Sequence, residues 1–576
     1  MGWPYEIFAL DDAQKHARRQ SLDRHAAYAQ LSALIPIGLA LLYRLGVLMF
    51  RRVSPYQPVA YSAVPSSPGL KHERQSAAGS WTIRARRFAW WLGDDVVVLG
   101  FNLGQRDQII FGSLWSIWLV FLCFIGTGND YLHLTKRFGI VAISQLPLQY
   151  LLILKNINPI AFAFASSHEQ LNRWHRVLGG IIYCLLLVHA GLYLNFYIHE
   201  GILSERIVRP IPALGLGSII GMSLLCATAI KFIRTYSYRV FFITHLMVAL
   251  LLPPAIFFHS HHGGRQYVIE PLVFFFIDLI KRKIDTITVP STLELIPDTN
   301  LIKIVASLPP SKLDRFRKYA GMHVYLTIPF SSRRSSHLLF EFAFNPFTIA
   351  SVDEKSGELT LVARRQRGPM TKALAQFAED DLANTKVPLC IEGPYGCATW
   401  FPNLAGPEFD RVLLVAGGVG STFILPISSI LLATRFLNHT QHLRMGDGYI
   451  INENPAARVQ MVWAVRGAAD ASWPLDDGED TLDDNIQLFL TQSVPRDPTL
   501  HEAVELDSNS HPSPRQIHKR PDLRQIVDDF FRQGVEERVA VLVCGPEEMA
   551  RELRSYVGAW VKKGRNVWWH NEGFAW

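Results

Sequence analysis

Two apolar stretches of this 576-residue sequence carry histidines at one shared spacing: His175 and His189 in the first, His245 and His259 in the second. Fourteen helical steps of about 100° leave roughly 40° of net rotation, so both histidines of a stretch share one helix face. At a rise of about 1.5 Å per residue they sit about 21 Å apart along the axis. Two such helices side by side offer His175 with His245 at one level and His189 with His259 at another. Each pair suits axial imidazole ligation of a haem, which would stack two haems across a bilayer. A lone histidine in an apolar helix is more simply an interhelical hydrogen-bonding group; the repeat on two helices favours ligation. His199, His261 and His262 lie near the expected outer mouth, where contact with a metal substrate and plain solvation both fit.

The elements that position these histidines are expected to span a membrane. Apolar runs long enough for a crossing of about 20 residues fall near 31–50, 109–127, 138–154, 175–198, 211–233, 240–260 and 267–280, giving seven expected spans. The first follows a polar segment and lacks a small-residue cleavage site, so it reads as a span rather than a signal peptide. Basic residues gather in alternate loops: Arg51, Arg52, Arg84, Arg86 and Arg87; Lys155 and Arg173; Lys231, Arg234 and Arg239; Lys281, Arg282 and Lys283. By the positive-inside rule those loops are cytosolic, the N-terminus faces outward, and everything after about 284 is cytosolic. Charged residues make up only 19% of the chain and the net charge is +7, which argues against a disordered chain or a nucleic-acid binder. The six cysteines form no C-x-x-C pair, which excludes a disulfide scaffold or a cysteine-held zinc or iron–sulfur centre.

Beyond 284 the pattern changes. Short β-rich runs broken by Gly and Pro over 285–405 predict a small antiparallel barrel. Residues 406–576 alternate strand and helix signals, as in a doubly wound α/β domain, with a polar, acid-rich insertion near 470–525 read as a mobile loop. Gly417, Gly418, Gly420, Ser421 and Thr422 follow the buried run Val412–Ala416 and precede a helical run, a turn that lets backbone and helix dipole meet a pyrophosphate. Arg466 ends the next strand, where a guanidinium pairs with an adenosine 2′-phosphate and favours NADPH over NADH. Cys544, Gly545 and Pro546 follow another strand and would lie near a nicotinamide ring. In the barrel, Asn345, Pro346, Phe347, Thr348 and Ser351, with Arg367, Gly368 and Thr371, offer hydroxyls and amides to a flavin ribityl chain and phosphates. Gly393, Pro394 and Gly396 close the barrel beside the flavin–nicotinamide cleft, and the terminal Phe574 and Trp576 would cover a flavin ring. Each of these motifs alone also fits an ordinary turn or edge packing.

Taken in order, the membrane histidines, N-P-F-T, G-P-Y-G, G-G-V-G-S-T, C-G-P and the E-x-F-x-W ending resemble the fungal ferric-chelate reductase family, within the ferric reductase/NADPH oxidase superfamily. The likeness covers about 109–576. It implies an N-terminal segment with one extra transmembrane helix and a cytosolic linker (1–108), and a six-helix haem-binding domain (109–284). A ferredoxin-reductase-like module follows, with an FAD-binding barrel (285–405) and an NADPH-binding domain (406–576). By resemblance His175, His189, His245 and His259 are the haem ligands. Asn345 stands where the family motif has histidine; it can hydrogen-bond but neither stack nor titrate as imidazole does.

The implied activity is electron transfer from cytosolic NADPH through FAD and two b-type haems to an acceptor across the membrane. No side chain acts as nucleophile or general base, so no catalytic residue is expected. The expected substrate is a ferric chelate or cupric ion, reduced for metal uptake at the plasma membrane, with a functional link to an iron permease and no nucleic-acid partner. The alternative is a superoxide-generating NADPH oxidase. A non-enzymatic haem scaffold or transporter is the reading from another class, opposed by the Gly-rich turn, Arg466 and the C-G-P element.

Overall fold

The computed structural model describes residues 4–53, 77–99, 101–332, 345–366, 368–379, 386–406, 408–444, 458–474, 485–492, 516–533 and 537–573. They fall into two units, one holding the first helix and Leu92–Asp285, the other the helix before Trp91 and the chain from Thr286 onward.

The first unit is helical: α1 (Asp12–Val53), then, after α2 (Ala77–Leu92) and a small hairpin (β1, Asp95–Val98; β2, Phe101–Gln105), α3 (Arg106–Phe124), α4 (Tyr131–Ile143), α5 (Leu146–Leu151), α6 (His168–His199), α7 (Pro210–Ala229), α8 (Tyr238–His259) and α9 (His262–Asp285). Side chains set the starts of these helices. Asp130 accepts the His133 N–H at the head of α4, Ser167 accepts that of Gln170 at α6, and Ser237 accepts that of Val240 at α8.

Five of these helices, α1, α3, α6, α7 and α8, are long and apolar enough to cross a membrane. Two of the expected spans are built differently. The run 138–154 is broken: α4 ends at Ile143, and Leu146-Pro147 starts the short α5, because proline suits a first turn and not a helix interior. Nearly all of α4 is buried, against α1, α3 and α6. The run 267–280 lies in α9, which is long enough to cross but carries polar groups with structural work. Glu270 accepts from the Gln30 amide, and buried Asp278 accepts the N–H groups of Asn156 (2.8 Å) and Ile157 (2.9 Å). A third buried polar group, Arg137 of α4, donates to the carbonyls of Leu122 and Ile125 and to Ser21 Oγ, tying α1, α3 and α4 together. Paired in this way, a charge inside the helical unit costs far less than a bare one.

In the second unit, β3 (Ile287–Leu295), β4 (Leu301–Ser307), β5 (His323–Thr327), β6 (Asn345–Val352), β7 (Glu358–Arg364) and β8 (Val387–Tyr395) close an antiparallel barrel in the order β3-β4-β7-β6-β5-β8. Helix α10 (Pro369–Glu379) follows β7 and buries Met370 and Leu374 in the barrel core. The remaining strands, β9 (Arg411–Gly417), β10 (Val459–Val465), β11 (Ile486–Leu490), β12 (Gln516–Ile517), β13 (Arg538–Cys544) and β14 (Asn566–Glu572), form an all-parallel sheet ordered β12-β11-β10-β9-β13-β14. Helices α11 (Ser421–Arg444), α12 (Leu523–Arg532) and α13 (Glu547–Lys562) accompany it. The apolar stretch Gly418–Arg435 would pass for a membrane span by composition, yet it is half buried and starts α11 of this sheet. Strands β11 and β12 lie inside the stretch 470–525 read above as a loop; the I-Q-L-F-L run is a short buried parallel strand hidden between polar flanks. Its acidic and proline-bearing residues, Asp476, Asp477, Glu479, Asp480, Pro495 and Pro514, lie outside the described residues.

Helix α2 also packs on the nucleotide sheet's outer layer, a placement that charge patterning gave no sign of. The Arg554 guanidinium sits 4.3 Å from the Trp90 ring, Trp90 meets Trp569 edge-on at 5.7 Å, and a β-carbon at Gly558 would fall 2.7 Å from Trp90 Nε1.

Candidate functional site: paired membrane histidines and a nucleotide crevice

In the helical unit, the spacing expected of the histidines becomes two close pairs. The His175 and His245 ring centres are 6.1 Å apart, and those of His189 and His259 are 6.3 Å apart. A linear imidazole–metal–imidazole arrangement with metal–nitrogen bonds of about 2 Å puts ring centres about 6 Å apart. Their partners fit the same purpose. His175 Nδ1 donates to the Gln149 carbonyl (3.1 Å), His189 Nδ1 to that of Thr135 (2.7 Å) and His259 Nδ1 to that of Ile211 (2.8 Å). A carbonyl only accepts, so each of these bonds fixes the proton on Nδ1 and leaves Nε2 as the donor atom for a metal. Gln149 lies beside the His175–His245 pair, its amide donating to the His175 carbonyl at 3.0 Å and standing 3.4 Å from His175 Nε2. The donor set and spacing therefore fit a haem between each pair.

The His189–His259 pair uses one device twice. The carbonyl that holds His189 belongs to Thr135, and four residues on, a β-carbon at Gly139 would lie 2.7 Å from the His189 ring. The carbonyl that holds His259 belongs to Ile211, and four residues on, a β-carbon at Gly215 would lie 2.5 Å from the His259 ring. One helical turn thus supplies the acceptor and the clearance together. Gly139→Ala and Gly215→Ala are each expected to turn the outer imidazole off its carbonyl and lower haem retention at that level. Haem-to-protein ratios and the reduced α-band of purified variants check this, and unchanged retention in both would show that the imidazoles have room elsewhere. Along α8, between the levels of its two histidines, an apolar cavity of about 570 Å³ is lined by Gly217, Gly221, Val248, Leu252 and Ala255 among others.

In the second unit, the crevice follows from strand order. The chain runs from β9 outward through β10, β11 and β12, then returns to place β13 on the other side of β9. Ligands of open α/β sheets bind at such a reversal, beyond the carboxyl ends of the strands. The turn after β9 carries Gly417, Gly418, Gly420, Ser421 and Thr422, and the turn after β13 carries Gly545 and Pro546, so the order brings both expected motifs to one place. Their glycines are partly spent on each other. A β-carbon at 417 would lie 2.6 Å from Pro546 Cδ, one at 545 would lie 3.0 Å from Gly417, and one at 420 would enter the Cys544 backbone. The Ser421 and Thr422 hydroxyls are buried and donate to the carbonyls of Gly418 (3.0 Å) and Val419 (2.9 Å), so they hold the turn's shape. Trp463 of β10 adds an Nε1–H donation to the Gly418 carbonyl at 3.0 Å.

Cys544 ends β13 in register with Glu572 of β14. Burial pushes its thiol well above the usual range, and the Glu572 carboxylate adds to the effect, so it stays protonated and is no thiolate nucleophile. Arg466 is exposed just past the carboxyl end of β10.

The barrel residues are placed unevenly. Asn345 and Pro346 are half-buried on β6, Phe347 and Thr348 are buried, and Ser351 is exposed. Buried Thr371 spends its hydroxyl on the Gln366–Gly368 turn, accepting from Gln366 N–H at 3.1 Å and donating to the Gln366 carbonyl. Gly368 faces open space, while Gly393 (φ +134°) and Gly396 (φ +130°), flanking Pro394 and Tyr395, adopt backbone that side chains rarely take. Arg367, Phe574 and Trp576 lie outside the described residues. Sequence reading gave Arg364, at the start of the turn that runs to Thr371, no role of its own; its Nη2 would lie 3.2 Å from a β-carbon on Gly418, where barrel and nucleotide turn meet.

Comparison with known proteins follows the same layout. Residues 138–256 match the family profile described as ferric reductase like transmembrane component, 287–399 an FAD-binding domain, and 409–558 the ferric reductase NAD binding domain. Ferric reductase transmembrane component 1 of Schizosaccharomyces pombe is 24% identical over 501 residues, covering 78% of this chain and 81% of that protein. A probable metalloreductase AIM14 of Meyerozyma guilliermondii is 23% identical over 461 residues, covering 76% and 85%. Ferric/cupric reductase transmembrane component 2 of Saccharomyces cerevisiae is 22% identical over 292 residues, half of this chain and 38% of its own length. With these three domain matches in sequence over the histidine-bearing helices, the barrel and the parallel sheet, the chain belongs to the ferric reductase family of multi-pass membrane oxidoreductases.

Proposed function

We propose that this protein is an NADPH-dependent metalloreductase that carries electrons through a membrane to ferric chelates or cupric ions. The observation that carries this reading is the pair of histidine levels on α6 and α8, with rings 6.1 and 6.3 Å apart, in a chain that also carries flavin and nicotinamide-nucleotide domains. Its relatives' names supply the metal substrates: ferric for one, ferric and cupric for another.

In this reading His175 with His245 and His189 with His259 each hold one b-type haem. The flavin supplies the change from a two-electron hydride to single electrons, and the haems supply their path through the bilayer. The chain's own groups do the rest. The Gly417–Thr422 turn and the start of α11 present backbone N–H groups and a helix dipole to the nucleotide pyrophosphate. Arg466 pairs with the 2′-phosphate, and neutral Cys544 and Gly545 face the nicotinamide. Asn345–Thr348, Ser351 and Arg367 would hold the flavin, with Gly368 and Thr371 shaping the turn beside it; Gly393–Gly396 would line its cleft, and Phe574 and Trp576 would cover it. The charge bias of the loops supports a cytosolic nucleotide module, with the His189–His259 level toward the far face. The plasma membrane is the location, with an iron permease taking up the product.

The deciding experiment adds NADPH to membranes containing the protein and follows ferrous-chelate formation with and without superoxide dismutase, recording haem bands alongside. Dismutase-insensitive iron reduction with reduced b-type haem is the expected result. Iron reduction abolished by dismutase would make dioxygen the acceptor. Absence of any NADPH-dependent haem reduction would leave a haem-binding scaffold. For the nucleotide, Arg466→Ala should raise KM for NADPH at least about tenfold, the loss of one charge-assisted phosphate contact of about 1.5–3 kcal/mol, and leave KM for NADH little changed. Equal effects on both would remove the phosphate role.

A further inference from the structure

The absence of a C-x-x-C pair argued against a cysteine-held zinc, but among the described residues the fold brings one cysteine together with a histidine and a glutamate from a distant part of the chain. Cys397 follows the Gly396 turn that closes the barrel, while His570 and Glu572 sit two residues apart on β14 and so face the same side of that strand. Cys397 Sγ lies 3.7 Å from His570 Nε2 and 3.7 Å from Glu572 Oε2, and His570 Nε2 lies 2.8 Å from Glu572 Oε2. Cys397 and His570 are buried, and the Glu572 side chain is only 12% exposed.

The pattern of contacts decides between two chemistries. A thiol–imidazole–carboxylate relay uses both ring nitrogens, one toward the nucleophile and the other toward the acid. Here a single nitrogen, Nε2, faces sulfur and carboxylate alike, so the three donors converge on a common point and form no chain. A point about 2 Å from all three atoms exists, close to zinc–nitrogen and zinc–oxygen bonds of about 2.0–2.2 Å and a zinc–sulfur bond of about 2.3 Å. One thiolate, one imidazole and one carboxylate are a borderline donor set that suits zinc and its neighbours rather than calcium or magnesium. Thiolate and carboxylate together also balance a divalent charge in a buried place. The imidazole is held on its rim by aromatic rings, with Phe401 at 4.6 Å, Phe423 at 5.7 Å and Trp568 stacked at 6.0 Å, an apolar shell of the kind that orients metal ligands.

We propose that Cys397, His570 and Glu572 form a binding site for a zinc-class divalent cation that clips the closing turn of the flavin barrel to the edge strand of the nucleotide sheet. The site holds no redox role, since zinc has a single stable valence. Binding displaces the proton of the thiol and any proton on the imidazole, so affinity falls as pH is lowered.

The test uses the purified full-length protein in detergent, stripped with a chelator, dialysed against zinc and then against metal-free buffer, with zinc and iron measured separately. One retained zinc per chain is expected. Loss of one outer-sphere partner alone weakens metal sites about 10–100-fold, so Cys397→Ser and His570→Gln should each weaken zinc binding by at least that factor, with haem and flavin contents confirming that the variants fold. Zinc-edge X-ray absorption on the wild-type chain gives a reading free of any folding effect. It should show one sulfur with nitrogen and oxygen neighbours. No retained zinc, retention in both variants equal to that of the wild-type chain, or a shell without sulfur overturns the site. Neither NADPH nor an iron chelate enters the measurement, so its failure and failure of the reductase reading are separate results.

Discussion

His189→Ala and His259→Ala are each expected to remove the outer haem, to abolish metal reduction across the membrane, and to leave NADPH-to-dye diaphorase activity intact. The argument rests on what each imidazole holds. Each ring donates Nδ1–H to a carbonyl of a neighbouring helix, at 2.7 and 2.8 Å, which leaves Nε2 without a proton, and the two ring centres are 6.3 Å apart. Alanine removes the metal donor, and the glycine facing each ring on the neighbouring helix, Gly139 or Gly215, offers no side chain in its place. Haem content should then fall by about half, one of two bis-histidine sites being lost. The soluble unit shares no residue with this site, and flavin reduction by NADPH should proceed as before. Pyridine haemochrome quantitation beside dye reduction checks both halves. Full haem content in either variant would end the ligand assignment.

The pairing of the histidines was legible in the sequence because helices convert spacing into direction. Fourteen residues bring two side chains back to one face, and the expected pairs stand with ring centres 6.1 and 6.3 Å apart. What the spacing did not reveal is the support. Gly139 and Gly215 look like ordinary small residues of apolar helices, and the carbonyls of Thr135 and Ile211 carry no sequence signal at all. A glycine four residues after a free acceptor becomes meaningful only once the facing helix is known.

The span count shows the opposite limit. Hydropathy alone does not reveal that the run 138–154 folds as α4 and the short α5, broken at Leu146-Pro147, or that the start of α11, apolar and long enough to pass for a span, belongs to the parallel sheet. In the soluble unit the barrel and the parallel sheet followed from strand patterning, whereas β11 was lost among polar neighbours. The hydroxyls of Ser421, Thr422 and Thr371 point to a subtler gap: residue type suggests a ligand contact, and the structure shows each one bonded to its own turn.

Gly420→Ala should give the mirror image of the histidine variants, with haem retained and nucleotide use lost. A β-carbon there would lie 2.6 Å from the Cys544 carbonyl carbon and 3.1 Å from its Sγ. Backbone at the end of a central strand cannot swing aside as a side-chain tip does. The turns after β9 and β13 must therefore separate, at an overpacking cost of about 1–3 kcal/mol. Those two turns flank the crevice at the reversal of strand order, so even a small separation misplaces the nicotinamide against the flavin, and an error of about 1 Å is enough to cost about 100-fold in rate. Gly418→Ala is the contrasting case from the same motif. Its φ of +56° brings the strain of left-handed backbone, about 1–2 kcal/mol, but the nearest atom is the tip of the Arg364 side chain at 3.2 Å, which can yield. NADPH-driven haem reduction should fall far more in Gly420→Ala than in Gly418→Ala, while dithionite reduces the haems of both in full. Equal loss in the two variants would mean that the motif acts through backbone flexibility alone, and that the meeting of the two turns has no part in placing the nucleotide.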